Sequence, residues 1–155
     1  MAPIRTILHP TDFSAYSASA LELAAALARD YQARLIIMHV AEPVTVGFEG
    51  MGVAEAEEFF DELRRKLESV RPEGRDIAVQ HKFVQGEPVS AILSVVREEP
   101  CDLVVMGTHG RTGLGRLLMG SVAEQIVRKA SCPVLTVKTP MSRPALKVEP
   151  AAAKA

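Results

Sequence analysis

The sequence predicts one α/β domain: a doubly wound, five-stranded parallel sheet in the order 3-2-1-4-5, with helices on both faces. Three observations predict it. Short apolar runs alternate with longer segments of helical periodicity as far as Val137. The fourth run, Leu103-Val104-Val105-Met106, is wholly apolar, as befits a strand covered on both faces. A glycine-dense loop follows that run and precedes the last helical segment, where a parallel sheet places an anion site. Strands separated by helices join through right-handed crossovers, which puts helices on both faces.

Ile4 to Leu8 reads as the first strand. Ser14 to Tyr31 follows as a helix, with Leu21, Ala24, Ala25 and Ala28 on one face. Leu35 to Val40 is the second strand. Glu55 to Val70 is a helix with Ala56, Phe60, Leu63, Leu67 and Val70 in one stripe, ended by Pro72-Glu73-Gly74. Ile77 to Val84 alternates, which suits an edge strand. Glu87-Pro88 opens the third helix, whose buried stripe is Val89, Ile92, Leu93 and Val96. After the apolar fourth strand, Ser121 to Ala130 forms the last helix, with Val122, Ala123, Ile126 and Val127 inward and Arg128 and Lys129 at its C-terminal end. Val134 to Val137 is the fifth strand.

The 155 residues carry 48% hydrophobic and 24% charged side chains, an ordinary balance for one globular domain. A formal charge of −1 gives no basic surface for nucleic acid or anionic lipid. No apolar run approaches the roughly 20 residues of a membrane span. Met1 to Arg5 leads directly into a strand, so the expectation is a cytoplasmic protein without a signal peptide. Cys101 and Cys132 each precede a strand and lack metal-type spacing, so they read as two buried, reduced thiols. A redox role requires them to be close, exposed and of low pKa. Residues 1–138 read as the domain and 139–155, rich in proline and then alanine, as a disordered tail. The segment from Glu42 to Val53, with Gly47, Gly50 and Gly52, is a candidate lid.

Ligands of such sheets sit at the carboxyl ends of the strands, where strand order reverses. Two segments fall there: Pro10-Thr11-Asp12 after the first strand, and the loop from Gly107 after the fourth. The loop is not G-x-x-x-x-G-K-[ST], and it does not fit the dinucleotide fingerprint G-x-G-x-x-G. It reads G-x-x-G, nine residues, then G-[ST]: Gly107-Thr108-His109-Gly110, Arg111 to Met119, then Gly120-Ser121. Glycines let main-chain amides approach a phosphate, and a helix N-terminus adds unpaired donors with roughly half a positive charge.

This spacing resembles the ATP-binding pattern of the universal stress protein family. Pro10-Thr11-Asp12-Phe13-Ser14, His39-Val40, Ser121-Val122-Ala123-Glu124 and Cys132-Pro133-Val134-Leu135 extend the likeness over about residues 3 to 138. The resemblance implies an adenine nucleotide alpha hydrolase-like fold. It implies that Asp12, with Pro10 and Thr11, meets the ribose region and that the Val40 backbone reads the adenine edge. Gly107, Thr108, Gly110, Arg111 and Gly113 then line the ribose and phosphates. Gly120, Ser121 and the Val122 amide hold the terminal phosphates, with a divalent cation, Mg or Mn, carried mainly by the phosphates themselves. It implies a homodimer through the strand Val134–Val137 and an unknown protein partner.

Each residue also has a plainer use. Asp12 and Ser121 can serve as helix caps, Arg111 and Arg116 as solvated charges, His109 as an exposed loop residue, and His9 and His39 as structural groups. The leading function is a cytoplasmic regulatory module that signals stress through nucleotide-dependent conformational change. A slow ATPase or phosphotransferase, a nucleotide-free chaperone-like protein and a flavoprotein-like electron carrier stand as alternatives.

Overall fold

The computed structural model describes residues 3–43, 52–74, 76–109 and 119–138. Its elements are β1 (Thr6–Pro10), α1 (Ala15–Tyr31), β2 (Arg34–Ala41), α2 (Val53–Ser69), β3 (Val79–Gln85), α3 (Pro88–Glu98), β4 (Leu103–Gly107), α4 (Ser121–Lys129) and β5 (Val134–Val137). The strands pair in parallel in the order β3-β2-β1-β4-β5, as the sequence predicts.

Alternate residues of each strand divide the core into two layers. Ile7, Leu35, Ile37, Leu103, Val105 and Val137 meet the small-residue face of α1 (Ala20, Ala24, Ala25, Ala28) and Leu67 of α2. Leu8, Ile36, Met38, Val104 and Met106 meet Val89, Ile92, Val95 and Val96 of α3 and Ala123 and Ile126 of α4. Consecutive alanines let α1 lie close against the strands. The helix begins at a Ser14 cap, whose hydroxyl accepts from the Ser17 N–H at 3.2 Å, and ends at Gln32 in the left-handed region (φ 53°). Glu87 caps α3 by accepting from the Val89 and Ser90 amides at 2.9 and 2.8 Å, with Pro88 in the first turn.

Several expectations need correction. β1 starts and ends two residues later than the apolar run suggests. The Asp102 carboxylate takes the Arg5 and Thr6 N–H groups at 2.8 and 2.9 Å, and pairing with β2 runs on through His9 and Pro10. In the α2 stripe only Leu67 is buried; Ala56, Phe60, Leu63 and Val70 are half-buried, because this helix lies over the edge pair β2 and β3. Leu93 is half-buried, and Val127 is 45% exposed: α4 fully buries Ala123 and Ile126, with Val122 half-buried against the same layer. Most of the candidate lid, and all of the tail, lie outside the described residues.

Candidate nucleotide cleft

β1 is shorter at its carboxyl end than its neighbour β2, and that difference creates the site. The Thr11 N–H still reaches the Met38 carbonyl at 2.7 Å. The next bond of a parallel ladder would join the Val40 N–H to the Thr11 carbonyl. Instead the His39 ring takes that carbonyl, through Nδ1 at 2.8 Å. A carbonyl only accepts, so Nδ1 of His39 carries the proton. Leu35 and Ala41 bond toward β3, so Met38 and Val40 face the other way, toward β1. The Val40 N–H and C=O therefore point past the end of β1, with no strand partner there among the described residues.

The β1 loop is tied down by its own polar groups. Thr11 Oγ1 shares a hydrogen bond with Ser17 Oγ at 3.0 Å and accepts from the Phe13 N–H at 3.1 Å. Asp12 Oδ1 accepts from the Ser14 N–H at 3.0 Å, so Asp12 does help to shape the helix entrance. Phe13 adopts φ 63°, a left-handed conformation that is unusual for a bulky residue, with its ring 4.3 Å from that of His39. Below this loop His9 is fully buried, and its Nδ1–H donates to the Val105 carbonyl at 2.9 Å. Burial lowers its pKa to about 4 against the opposing pull of the Val105 bond and the Asp12 charge, so the ring is neutral at pH 7.

β4 supplies the opposite wall. A Cβ on Gly107 would stand 3.1 Å from both the carbonyl carbon and the Cβ of Tyr16, so this glycine admits α1 to the strand end. Thr108 is buried and fully engaged. Its N–H and hydroxyl both donate to the Val137 carbonyl, at 2.9 and 2.8 Å, and its carbonyl accepts from the Gly120 N–H at 2.7 Å. This last bond closes the neck of the glycine-rich loop. The Thr108 hydroxyl and the Gly120 amide are thus occupied, which moves the anion-binding role onto the amides after Gly120.

α4 begins there. Gly120 is its N-cap and gives no side-chain hydrogen bond; its φ of −57° is open to any residue, so the backbone conformation does not require glycine here. The first intrahelical bond runs from the Glu124 N–H to the Gly120 carbonyl. The amides of Ser121, Val122 and Ala123 are left without an acceptor among the described residues. They form an uncapped helix N-terminus whose dipole favours an anion.

These parts enclose one cleft of about 680 Å³. Pro10, Thr11 and Asp12 line it, as do Val40, Gly107, Thr108, Gly120, Ser121 and Val122, so nine of the twelve candidate residues meet at one place. Gly110, Arg111 and Gly113 lie outside the described residues. The sequence missed Phe59 and Leu63 of α2 and Pro88 and Ile92 of α3, which also line the cleft. Their apolar spacing marked α2 and α3 as core helices; an aromatic beside the stripe, Phe59, was a signal the sequence offered, and it is 40% exposed in the fold. His109 lines the cleft as well, its ring 5.4 Å from that of Tyr16. No group of three or more His, Cys, Asp or Glu able to hold a metal occurs among the described residues.

The universal stress protein family model matches residues 3–138. A universal stress protein of Thermus aquaticus is 37% identical over 142 residues, covering 86% of this chain and 98% of that protein. Universal stress protein MJ0577 of Methanocaldococcus jannaschii is 32% identical over 154 residues, covering 86% of this chain and 94% of its own. Its solved structure superposes with a TM-score of 0.78 at 31% identity over 89% of this chain and 98% of that one. A universal stress protein solved in complex with cAMP superposes with a TM-score of 0.60 at 26% identity, over 88% of this chain and 98% of that one.

Proposed function

Because the chain belongs to the universal stress protein family, we propose that it is an ATP-binding regulatory module that passes nucleotide occupancy on to a partner. The observation that carries this reading is the pairing, in one cleft, of a Val40 peptide edge and α4 amides that have no partner among the described residues. An adenine ring presents an acceptor (N1) beside a donor (the 6-amino group). A main-chain N–H and C=O on one strand edge complement that pair. The α4 amides then receive the phosphate tail, and the ribose lies between, beside Asp12. The apolar walls from Phe59, Leu63 and Ile92 suit the flat base. A solved relative holding cAMP, itself an adenine nucleotide, supports the same ligand class.

A divalent cation is held here mainly by the phosphate oxygens, with Mg or Mn as the candidates. For ATP to act as a switch, the nucleotide must bind two conformations unequally. The protein works as a cytoplasmic homodimer through the outer edge of β5. Titration calorimetry of the purified chain with MgATP tests the reading. Saturable binding is expected, and Gly120→Val should weaken it at least about tenfold by crowding the anion. Absence of any ATP affinity in the unaltered chain would overturn it. Turnover faster than roughly one per second would favour an enzyme.

A further inference from the structure

Cys101 and Cys132 stand just before β4 and β5, at the end of the sheet opposite the cleft. β4 and β5 pair with Val104 opposite Val134, and the Val104 N–H donates to the Pro133 carbonyl at 3.0 Å. Continued backward, this register sets Cys132 level with Asp102, one residue from Cys101. Neighbouring strands run about 4.8 Å apart, within the Cα separations a disulfide spans. Both side chains pack against the layer under α3 and α4, and both are half-buried rather than enclosed. Burial, then the neighbouring sulfur, pushes the Cys101 thiol up to about 12; burial raises that of Cys132 too. The closeness that a redox role needs is therefore present, and the low pKa of a fast sensor is not.

We propose that Cys101 and Cys132 form a reversible intramolecular disulfide that closes residues 101–132, glycine-rich loop and α4 included, into a covalent ring. The oxidant is a low-molecular-weight disulfide such as oxidised glutathione. One protein thiol loses its proton to solvent, attacks a glutathione sulfur and expels one glutathione thiolate. The second thiol, deprotonated in turn, attacks the protein sulfur of the mixed disulfide and expels the other. Two protein thiols become one disulfide, and one glutathione disulfide becomes two thiols. High thiol pKa values make the attack slow, and they also make the closed form slow to reopen, because such thiolates leave poorly. The device thus answers sustained oxidation rather than a brief pulse.

The test uses the full chain, reduced, desalted and incubated with excess oxidised glutathione, then acid-quenched, alkylated with N-ethylmaleimide and weighed by mass spectrometry. The expected product is lighter by two hydrogens, takes up no maleimide, and yields one peptide pair linked through Cys101 and Cys132. Its yield should not change on tenfold dilution, and dithiothreitol should restore both thiols. Cys101→Ser and Cys132→Ser should stop at the glutathione adduct. Two maleimide-reactive thiols in the treated wild type, a stable adduct that never closes, or linkage only between chains would overturn the proposal. So would the absence of any adduct on both single variants.

Discussion

At the scale of single residues, several groups that the sequence marks for ligand contact prove to be occupied. Gly107 is glycine because Tyr16 of α1 passes 3.1 Å from where its Cβ would be. Gly107→Ala should therefore lower stability by about 1–3 kcal/mol, measured by urea unfolding, through displacement of α1. The Thr108 hydroxyl belongs to Val137, and that of Thr11 to Ser17 and Phe13. Such commitments depend on contacts distant in sequence, and no local pattern encodes them. His9 gives a second prediction. Its pKa is about 4 in the folded chain against an ordinary 6.5, so above pH 6.5 it is neutral in both states and contributes no pH dependence. Between pH 6.5 and 4 the unfolded chain takes up a proton that the folded chain refuses, so stability falls as pH falls. About 2 kcal/mol should be lost between pH 6.5 and 5, above the range in which Glu87 and Glu99, both held below the usual value by hydrogen bonds, begin to protonate. Urea midpoints across that window should show this slope, and His9→Gln should flatten it even if the variant is less stable overall.

At the scale of elements, the helices differ in how their first turns are satisfied. α1 has Ser14 and α3 has Glu87 as side-chain caps, and in α2 the Glu55 carboxylate reaches back to the Gly52 N–H at 2.8 Å. α4 has no such side chain, and its first turn lines the cleft through Ser121, Val122 and Ala123. Glu87→Ala should cost about 1 kcal/mol by chemical denaturation, since two α3 amides lose their acceptor. Ser121→Ala should leave stability within about 0.5 kcal/mol, because that exposed side chain caps nothing. Helix periodicity located α1, α4 and the start of α3 to within a residue. It misjudged α2, whose apolar stripe is shared between the core and the cleft wall, and it turned Val127 inward when α4 buries only Ala123 and Ile126 fully, with Val122 half-buried beside them. A hydrophobic pattern reports that a face avoids water; it does not distinguish packed core from an apolar pocket or an uncovered surface.

At the scale of the whole molecule, strand order carries the most information. The alternation of apolar runs and helical segments predicted a doubly wound parallel sheet, and in the order 3-2-1-4-5, which the structure has, the loops after β1 and β4 meet at one crevice. The crevice was legible for this reason, whereas its α2 and α3 walls required the tertiary packing. The same order leaves β5 at an edge, with Leu135 37% exposed on it. An apolar edge strand invites pairing with a second copy. Leu135→Lys should convert a dimer into a monomer at micromolar concentration, read by sedimentation velocity; a wild-type chain that sediments only as a monomer would remove the basis for that assembly. The overhang of β2 beyond β1 has a consequence of another kind. Its contribution to selectivity is written in peptide groups, which are the same whatever amino acid occupies position 40. Substitution there can alter the fit of the pocket without erasing the complementary pair of peptide groups, so a descendant of this chain could drift at that site and still choose the same base.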